Sequence, residues 1–408
     1  MREADRVLGL TAALERGVGA VKQRRRGLSG GQLLIALASA QLTGADFLVR
    51  LDERRLDLAG QELEPVPTPA STTAAGIARR FTTEHLRGIE TAIGEVNNRV
   101  VSLVGQVRRS ALLKVATIDG DTTDVEVFGR CKDNAAYNHS GQRNLRPHLC
   151  LWAEAGVPLA GELMAGAADP RSNCVAVLER AIAALPDGVE QVRTRWDAGY
   201  FAAALARACL ERGVQFAIGA KRNTAVLRAA AAAADARWVP AIGMDDTELA
   251  VIDYLPGAWP PGVVCIARRT RIPVEQIPTE RARKRRTIPK DQLALALDGR
   301  IDAVFGYSFI LTNLDVFDEE KDVFDEEKLA EVEWWYRHRT DIEALNKDGK
   351  LGAALRHLPS GDHAVNSVWM WAALLACAIS VWLQEITGID RGNGRGRRTI
   401  TRLRRELI

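Results

Sequence analysis

Residues Glu331 to Lys350 read EVEWWYRHRTDIEALNKDGK, a stretch whose periodicity predicts a helix. The spacing Y-x2-R-x3-E-x6-K sets Tyr336, Arg339, Glu343 and Lys350 within about 60° of one another, at roughly 100° per residue. Trp335, Ile342 and Leu345 form an adjacent apolar stripe suited to a core. A carboxylate, two cations and a phenol thus converge at the lip of a buried face. That mixture suits a phosphate backbone and a metal ion. Taken alone, the same pattern describes a solvated helix side with ordinary i,i+4 pairs. Two acidic segments upstream, each at the end of a β-type run, tip the balance toward chemistry.

The first is LLKVATI (112–118), aliphatic and β-branched, which runs into Asp119-Gly120-Asp121-Thr122-Thr123. Asp119 and Asp121 stand two apart and share one face of an extended chain, so periodicity does not choose between them. The second strand, 191–196, ends in Asp197 just before a helix, where α/β sheets expose their sites. Each acid has a plainer reading, Asp121 as a turn cap and Asp197 as the N-cap of the next helix. Acids at both strand ends and again in the helix pattern outweigh those readings.

The remaining zones fit around these acids. Residues 1–108 are mainly helical, with apolar periodicity over 4–16, 31–42 and 82–95 and a Pro/Thr/Ser-rich loop at 65–73. Between 109 and 223, strands at 148–154 and 157–163 flank the turn Ala155-Gly156. Helices at 173–185 and 201–212 and a strand at 214–218 complete a β-β-β-α-β-α-β order, which predicts a mixed α/β layer architecture. Residues 224–328 open with an alanine-rich helix (224–236) and continue as short β runs at 248–254, 262–268 and 307–312 between prolines. Residues 329–384 hold the Glu343 helix and the apolar run VWMWAALLACAISVWL (368–383), and 385–408 form a basic tail. At sixteen residues that run is short for a membrane span of about 20, and reads as a buried core helix.

Composition bounds the function. With 47% hydrophobic and 26% charged residues, the chain is globular and long enough for two or three domains. A formal charge of only +3 means that any nucleic-acid affinity resides in local clusters. Candidates are Arg24-Arg25-Arg26, RARKRR (281–286) and the tail (391–405), with Arg283, Lys284 and Arg285 the best non-specific backbone contacts. Six scattered cysteines without a C-x-x-C pair, and the lack of a signal peptide, predict a reducing cytoplasm and no structural zinc site. DVFDEEK occurs twice in tandem, at 315–321 and 322–328. Seven residues slip a helix face by only about 20°, so the second copy is expected to lengthen a helix or swell a loop, and to lower activity.

The Tyr336-Arg339-Glu343-Lys350 spacing resembles the Tyr-Arg-Glu-Lys signature of bacterial insertion-sequence transposases of the DDE type, group 1-like. RWDAGY (195–200) is similar to that family's Arg-x-Asp-x-Gly-Phe segment, and Asp121 is followed closely by threonine, as in relatives. The stretch from Ala136-Tyr137-Asn138 to Pro147-His148, with Gly141 and Arg143, also looks like the family's. The resemblance implies a ribonuclease-H-like mixed-sheet catalytic core with a β-rich insertion and a helical N-terminal DNA-binding region. It implies Asp121 (with Asp119 as the alternate), Asp197 and Glu343 as catalytic acids. Clustered carboxylates repel one another, and hard oxygen donors favour two Mg2+ ions, which Mn2+ can replace. Tyr336, Arg339 and Lys350 would hold phosphates of the terminal DNA strand. Trp335 reads as core, and Trp334 stays open as a stacking partner for an unpaired base. Expected partners are terminal inverted repeats and target DNA, engaged as a dimer, with a hairpin at the element end. The alternatives are a transposase-derived DNA-binding protein without cleavage and a nuclease that cuts without joining.

Overall fold

The computed structural model describes residues 1–23, 26–138, 140–233, 237–278, 284–318, 323–389 and 396–407. In chain order the principal elements are α1 (Leu10–Val18), α2 (Gly30–Leu42), α3 (Thr83–Leu103), β1 (Val115–Thr122), β2 (Arg143–Trp152), β3 (Val157–Ala165) and α4 (Cys174–Ala183). There follow β4 (Gln191–Trp196), α5 (Ala203–Glu211), β5 (Gln215–Gly219), β6 (Thr247–Ile252), β7 (Val264–Pro273) and β8 (Ala303–Thr312). The chain closes with α6 (Glu326–Arg337), α7 (Thr340–Leu351), α8 (His363–Thr387) and α9 (Ile400–Leu407). Two compact units result, one of residues 1–192 with 341–408, the other of residues 193–340.

The first unit is built around α8. Asp362 starts this helix by accepting the N–H groups of Ala364 and Val365, and Gly388 ends it at φ 64°. The helix is apolar and long enough to cross a membrane by composition alone, yet it lies buried against α2, α3 and β3. Trp369, Trp371 and Trp382 are fully buried there, and Trp382 Nε1 donates to Asn97 on α3 at 3.0 Å. Ser29 and Gln32 form a reciprocal cap at the start of α2. α1 and α3 meet backbone to backbone: a Cβ on Gly88 would lie 2.0 Å from the Gly17 carbonyl oxygen. β1, β2 and β3 form an antiparallel meander, the β2–β3 turn using Gly156 at φ 69°.

The described part of the basic tail, residues 396–407, is folded rather than frayed. Ile400 and Leu403 of α9 are buried, and Arg404 donates to the carbonyls of Gln41, Leu42 and Gly352. Arg397 is paired with Glu385, and Arg398 and Arg402 with Glu406, so these cations are spent within the protein. Asp348 on α7 receives the Ile400 N–H at 3.0 and 3.1 Å, joining α7 to α9. Burial raises the Asp348 pKa to about 6 against the N–H of Ile400 and the charge of Arg404. The folded state therefore holds this proton more tightly than the unfolded chain. Its contribution is full below about pH 4 and is lost as pH rises through about 6. Asp348→Asn is expected to remove a slope worth about 2–3 kcal/mol between pH 4 and 7, read from urea midpoints at the two pH values.

In the second unit β4 and β5 are parallel and joined through α5, with Arg193 opposite Gln215 and Trp196 opposite Ile218. β8 pairs antiparallel with β5 and with β7, and β6 flanks β7. The sheet is mixed, and the whole protein is a mixed α/β fold. Its core gathers Ala217, Leu249, Ile266, Ile310, Val316 and Leu329, with Trp335 and Tyr336 of α6 packed against it.

Three expectations change. The stretch 331–350 is two helices, α6 and α7, interrupted at His338 and Arg339, so the four signature residues do not share one helix face. Residues 112–114 close a helix (Gln106–Lys114), and the strand begins at Val115, carrying Asp119 and Asp121 within it. Within the described part of the tandem repeat, Phe317 pairs with Phe324 and Asp318 with Val323, and Glu326–Lys328 of the second copy form the first turn of α6. Asp325, from the second copy, caps α6. Residues 319–322 of the repeat lie outside the described residues.

Candidate active site

In the first unit, β1 sets Asp119 opposite Leu151 and Asp121 opposite Leu149, both on one strand face. Asp119 is wholly buried, whereas Asp121, nearer the strand end, is half-buried. α7 runs past that end. Ile342 and Leu345 are buried, which leaves Glu343, Asn346 and Lys350, at intervals of three and four, on a neighbouring face. Asn346 Nδ2 donates to Asp121 Oδ2 at 3.3 Å. Lys350 Nζ donates to Thr123 Oγ1 at 2.5 Å and to the Asp124 carbonyl at 2.8 Å. Burial lowers the Lys350 pKa, opposed by the carboxylates of Asp124 and Asp121. Asp124 also accepts from Arg146 at 2.8 Å and Asn138 at 2.9 Å. Glu343 itself is exposed.

Sequence reasoning missed Asn346 and Asp124. Asn346 was detectable in principle, one turn beyond Glu343 on the same face. Asp124 was hidden because its partners Arg146 and Asn138 come from other segments.

In the second unit, Asp197 follows β4 and accepts the Gly199 N–H at 2.7 Å, capping a single turn over Ala198–Tyr200. The capping reading of this acid therefore holds, and a carboxylate oxygen beyond that one bond can serve another ligand. The Tyr336 hydroxyl donates to the Trp196 carbonyl at 3.3 Å. A Cβ on Gly219 would lie 2.6 Å from that hydroxyl and 2.8 Å from the Ala198 nitrogen, so only glycine lets the three segments meet. Arg195, buried, donates to the Trp335 carbonyl at 2.6 Å and lies 5.2 Å from the Trp335 ring centre. Trp335 is thus half-buried against the core of the second unit, although it shares no helix with Ile342 and Leu345. Trp334 is 43% exposed and packs on His338, ring centres 4.1 Å apart. Arg339 Nη1 is buried and has no hydrogen-bond partner among the described residues.

Of the basic loop, Arg283 lies outside the described residues, as does the side chain of Lys284, and Arg285 donates to the Pro278 carbonyl at 3.2 Å. Arg24 and Arg25 lie outside them too. Among the described residues no group of three or more His, Cys, Asp or Glu is gathered as a metal cage. Asp121 and Glu343 belong to the first unit and Asp197 to the second.

Residues 1–281 match the model of a protein family described as transposase DDE domain, group 1. Asp121 and Asp197 fall inside the matched stretch, and Glu343 beyond it. No curated protein matches the chain. Among solved structures it is similar to the cryo-EM structure of a piggyBac transposase synaptic complex with hairpin DNA. That likeness has 10% identity and a TM-score of 0.46, and covers 98% of this chain and 76% of the other.

Proposed function

The chain belongs to the transposase DDE domain group 1 family, and we propose that it is an active cut-and-paste enzyme of an insertion sequence. Asp121, Asp197 and Glu343 act together as ligands of two Mg2+ ions, for which Mn2+ can substitute, within a ribonuclease-H-like core. The donor set suits such ions, being three carboxylates with no thiolate or imidazole among them. Divalent ions bound there supply activation of the attacking oxygen and charge neutralisation on the departing one. One observation supports this reading above the others. Asn346, one turn from Glu343, is bonded to the carboxylate of Asp121, so the glutamate helix and the first acidic strand are neighbours.

In the first displacement a water oxygen forms the new bond to phosphorus and the bond to a 3′ oxygen breaks, freeing a 3′ hydroxyl at the element end. In the second, that hydroxyl loses its proton and forms a bond to a phosphorus of target DNA, while the bond from that phosphorus to the target's own 3′ oxygen breaks and leaves a target 3′ hydroxyl. Arg339, with a buried Nη1 that has no partner among the described residues, holds a phosphate of the terminal strand through its fork. Tyr336 adds to that contact when its hydroxyl turns from the Trp196 carbonyl to the phosphate, while Lys350 is held at the strand end by Thr123 and Asp124. Trp334 stacks on an unpaired base, and the loop bearing Arg283, Lys284 and Arg285 follows the backbone non-specifically. The partners are the terminal inverted repeats and target DNA, and the protein acts as a dimer on paired ends. The test is incubation with a duplex made from the inverted repeat flanking its coding region, plus a target plasmid, with and without Mg2+. Cleavage and joining are expected. Binding without cleavage would favour a DNA-binding derivative, and cleavage without joining a plain nuclease.

A further inference from the structure

We propose that Asn346 and Lys350 are positioning residues that fix the Asp121 end of β1 for ion binding. This rests on the reading of Asp121 and Glu343 as metal ligands, and it gives Lys350 a principal task other than gripping DNA. Asn346 is 8% exposed, its Oδ1 makes no hydrogen bond among the described residues, and its Nδ2 donates to Asp121. Lys350, one turn further along α7, commits two of its three N–H donors to Thr123 and Asp124. From the opposite side, Arg146 and Asn138 hold the Asp124 carboxylate.

The four residues after Gly120 are therefore pinned from α7 and from the β2 side at once. A half-buried strand end carrying a carboxylate would otherwise sample several rotamers, and each ion bound would have to order it. Partners that orient a ligating carboxylate typically matter by about 10–100-fold in metal affinity or activity. An ammonium already facing two protein acceptors is a poor phosphate clamp. An ammonium holding the strand end is a useful strut. α7 thus delivers three functions from one face: Glu343 as ligand, Asn346 as orienting group and Lys350 as anchor.

The experiment uses the full-length protein and its N346A, K350M and T123V variants, with E343Q as reference. Mn2+ binding is measured by titration calorimetry, and affinity for the element-end duplex by mobility shift without metal at several salt concentrations. N346A and K350M are expected to weaken Mn2+ binding by about 10-fold or more while leaving duplex affinity within about twofold. T123V, which removes one acceptor and disturbs packing least, is expected to follow K350M with a smaller shift. If K350M leaves Mn2+ affinity unchanged, weakens duplex binding and lowers the salt slope by about 1, Lys350 is a phosphate contact and the inference fails. If E343Q leaves Mn2+ binding intact, the metal-site reading itself is removed, and that result is distinguishable because it needs none of the other variants.

Discussion

Glu343→Gln, Asp121→Asn and Asp197→Asn are each expected to lower Mg2+-dependent cleavage of an element-end duplex by at least about 10³-fold. The size follows from what a carboxylate does at such a site. On the proposed reading, each replacement keeps shape and volume but removes a negative charge that would hold a divalent ion. An ion supplies several kcal/mol of transition-state stabilisation, and every 1.4 kcal/mol or so is tenfold in rate. Duplex binding in the absence of metal should persist, because no cation is removed. Asp119→Asn separates the two candidates on β1. Asp119 is wholly buried behind the half-buried Asp121, so its loss is expected to act mainly on folding. Retention of wild-type cleavage by Glu343→Gln would refute the assignment of that residue. A collapse in Asp119→Asn alone would exchange the two aspartates.

The second large effect concerns stability. Gly88→Ala is expected to destabilise the protein by about 3 kcal/mol, seen as a lower urea midpoint with an unchanged slope. Two opposing terms decide the sign. Replacing glycine by alanine inside a helix gains roughly 1 kcal/mol of propensity. Against it, the new methyl would sit 2.0 Å from the Gly17 carbonyl oxygen and 2.5 Å from its carbon, both backbone atoms with no rotamer to change. α1 and α3 would have to separate, taking Leu14, Ala92 and Ile93 out of contact with the core. The steric term wins. Gly17→Ala meets the Gly88 carbonyl at 2.1 Å and should behave alike. A neutral Gly88→Ala would show that the helices do not cross there.

Much of the fold was legible from residue pattern. β4 coincides with its predicted span, the β2–β3 turn falls at Ala155-Gly156, and the apolar run at 368–383 lies in a buried helix, as expected, although the whole helix is longer than the run. The misses have physical causes. Residues 112–114 are an apolar run too short to show its period, so helix and strand look the same. The break at His338 and Arg339 involves no glycine or proline, and helical periodicity continues in register across it. Local propensity carries no stop signal there, and tertiary packing makes the choice: Trp335 and Tyr336 are held by the core of the second unit, while Ile342 and Leu345 are buried in the first. The candidate acids stand at positions in a pattern, whereas the contacts of Asn346, Thr123 and Asp124 at the Asp121 strand end depend on three-dimensional pairing that no spacing encodes.

Five of the six cysteines are buried, and Cys131 is exposed on the segment that Arg143 gathers through the carbonyls of Gly129, Arg130 and Lys132. A maleimide dye should therefore attach once per chain, without removal of any native thiol. Asp133, two residues on, is tied to Gly361, so the fluorophore would ride on an anchored loop and not on a loose one. Because that loop follows the Asp121–Asp124 strand end, a change in its emission on adding DNA would be expected if duplex binds beside that strand, as proposed.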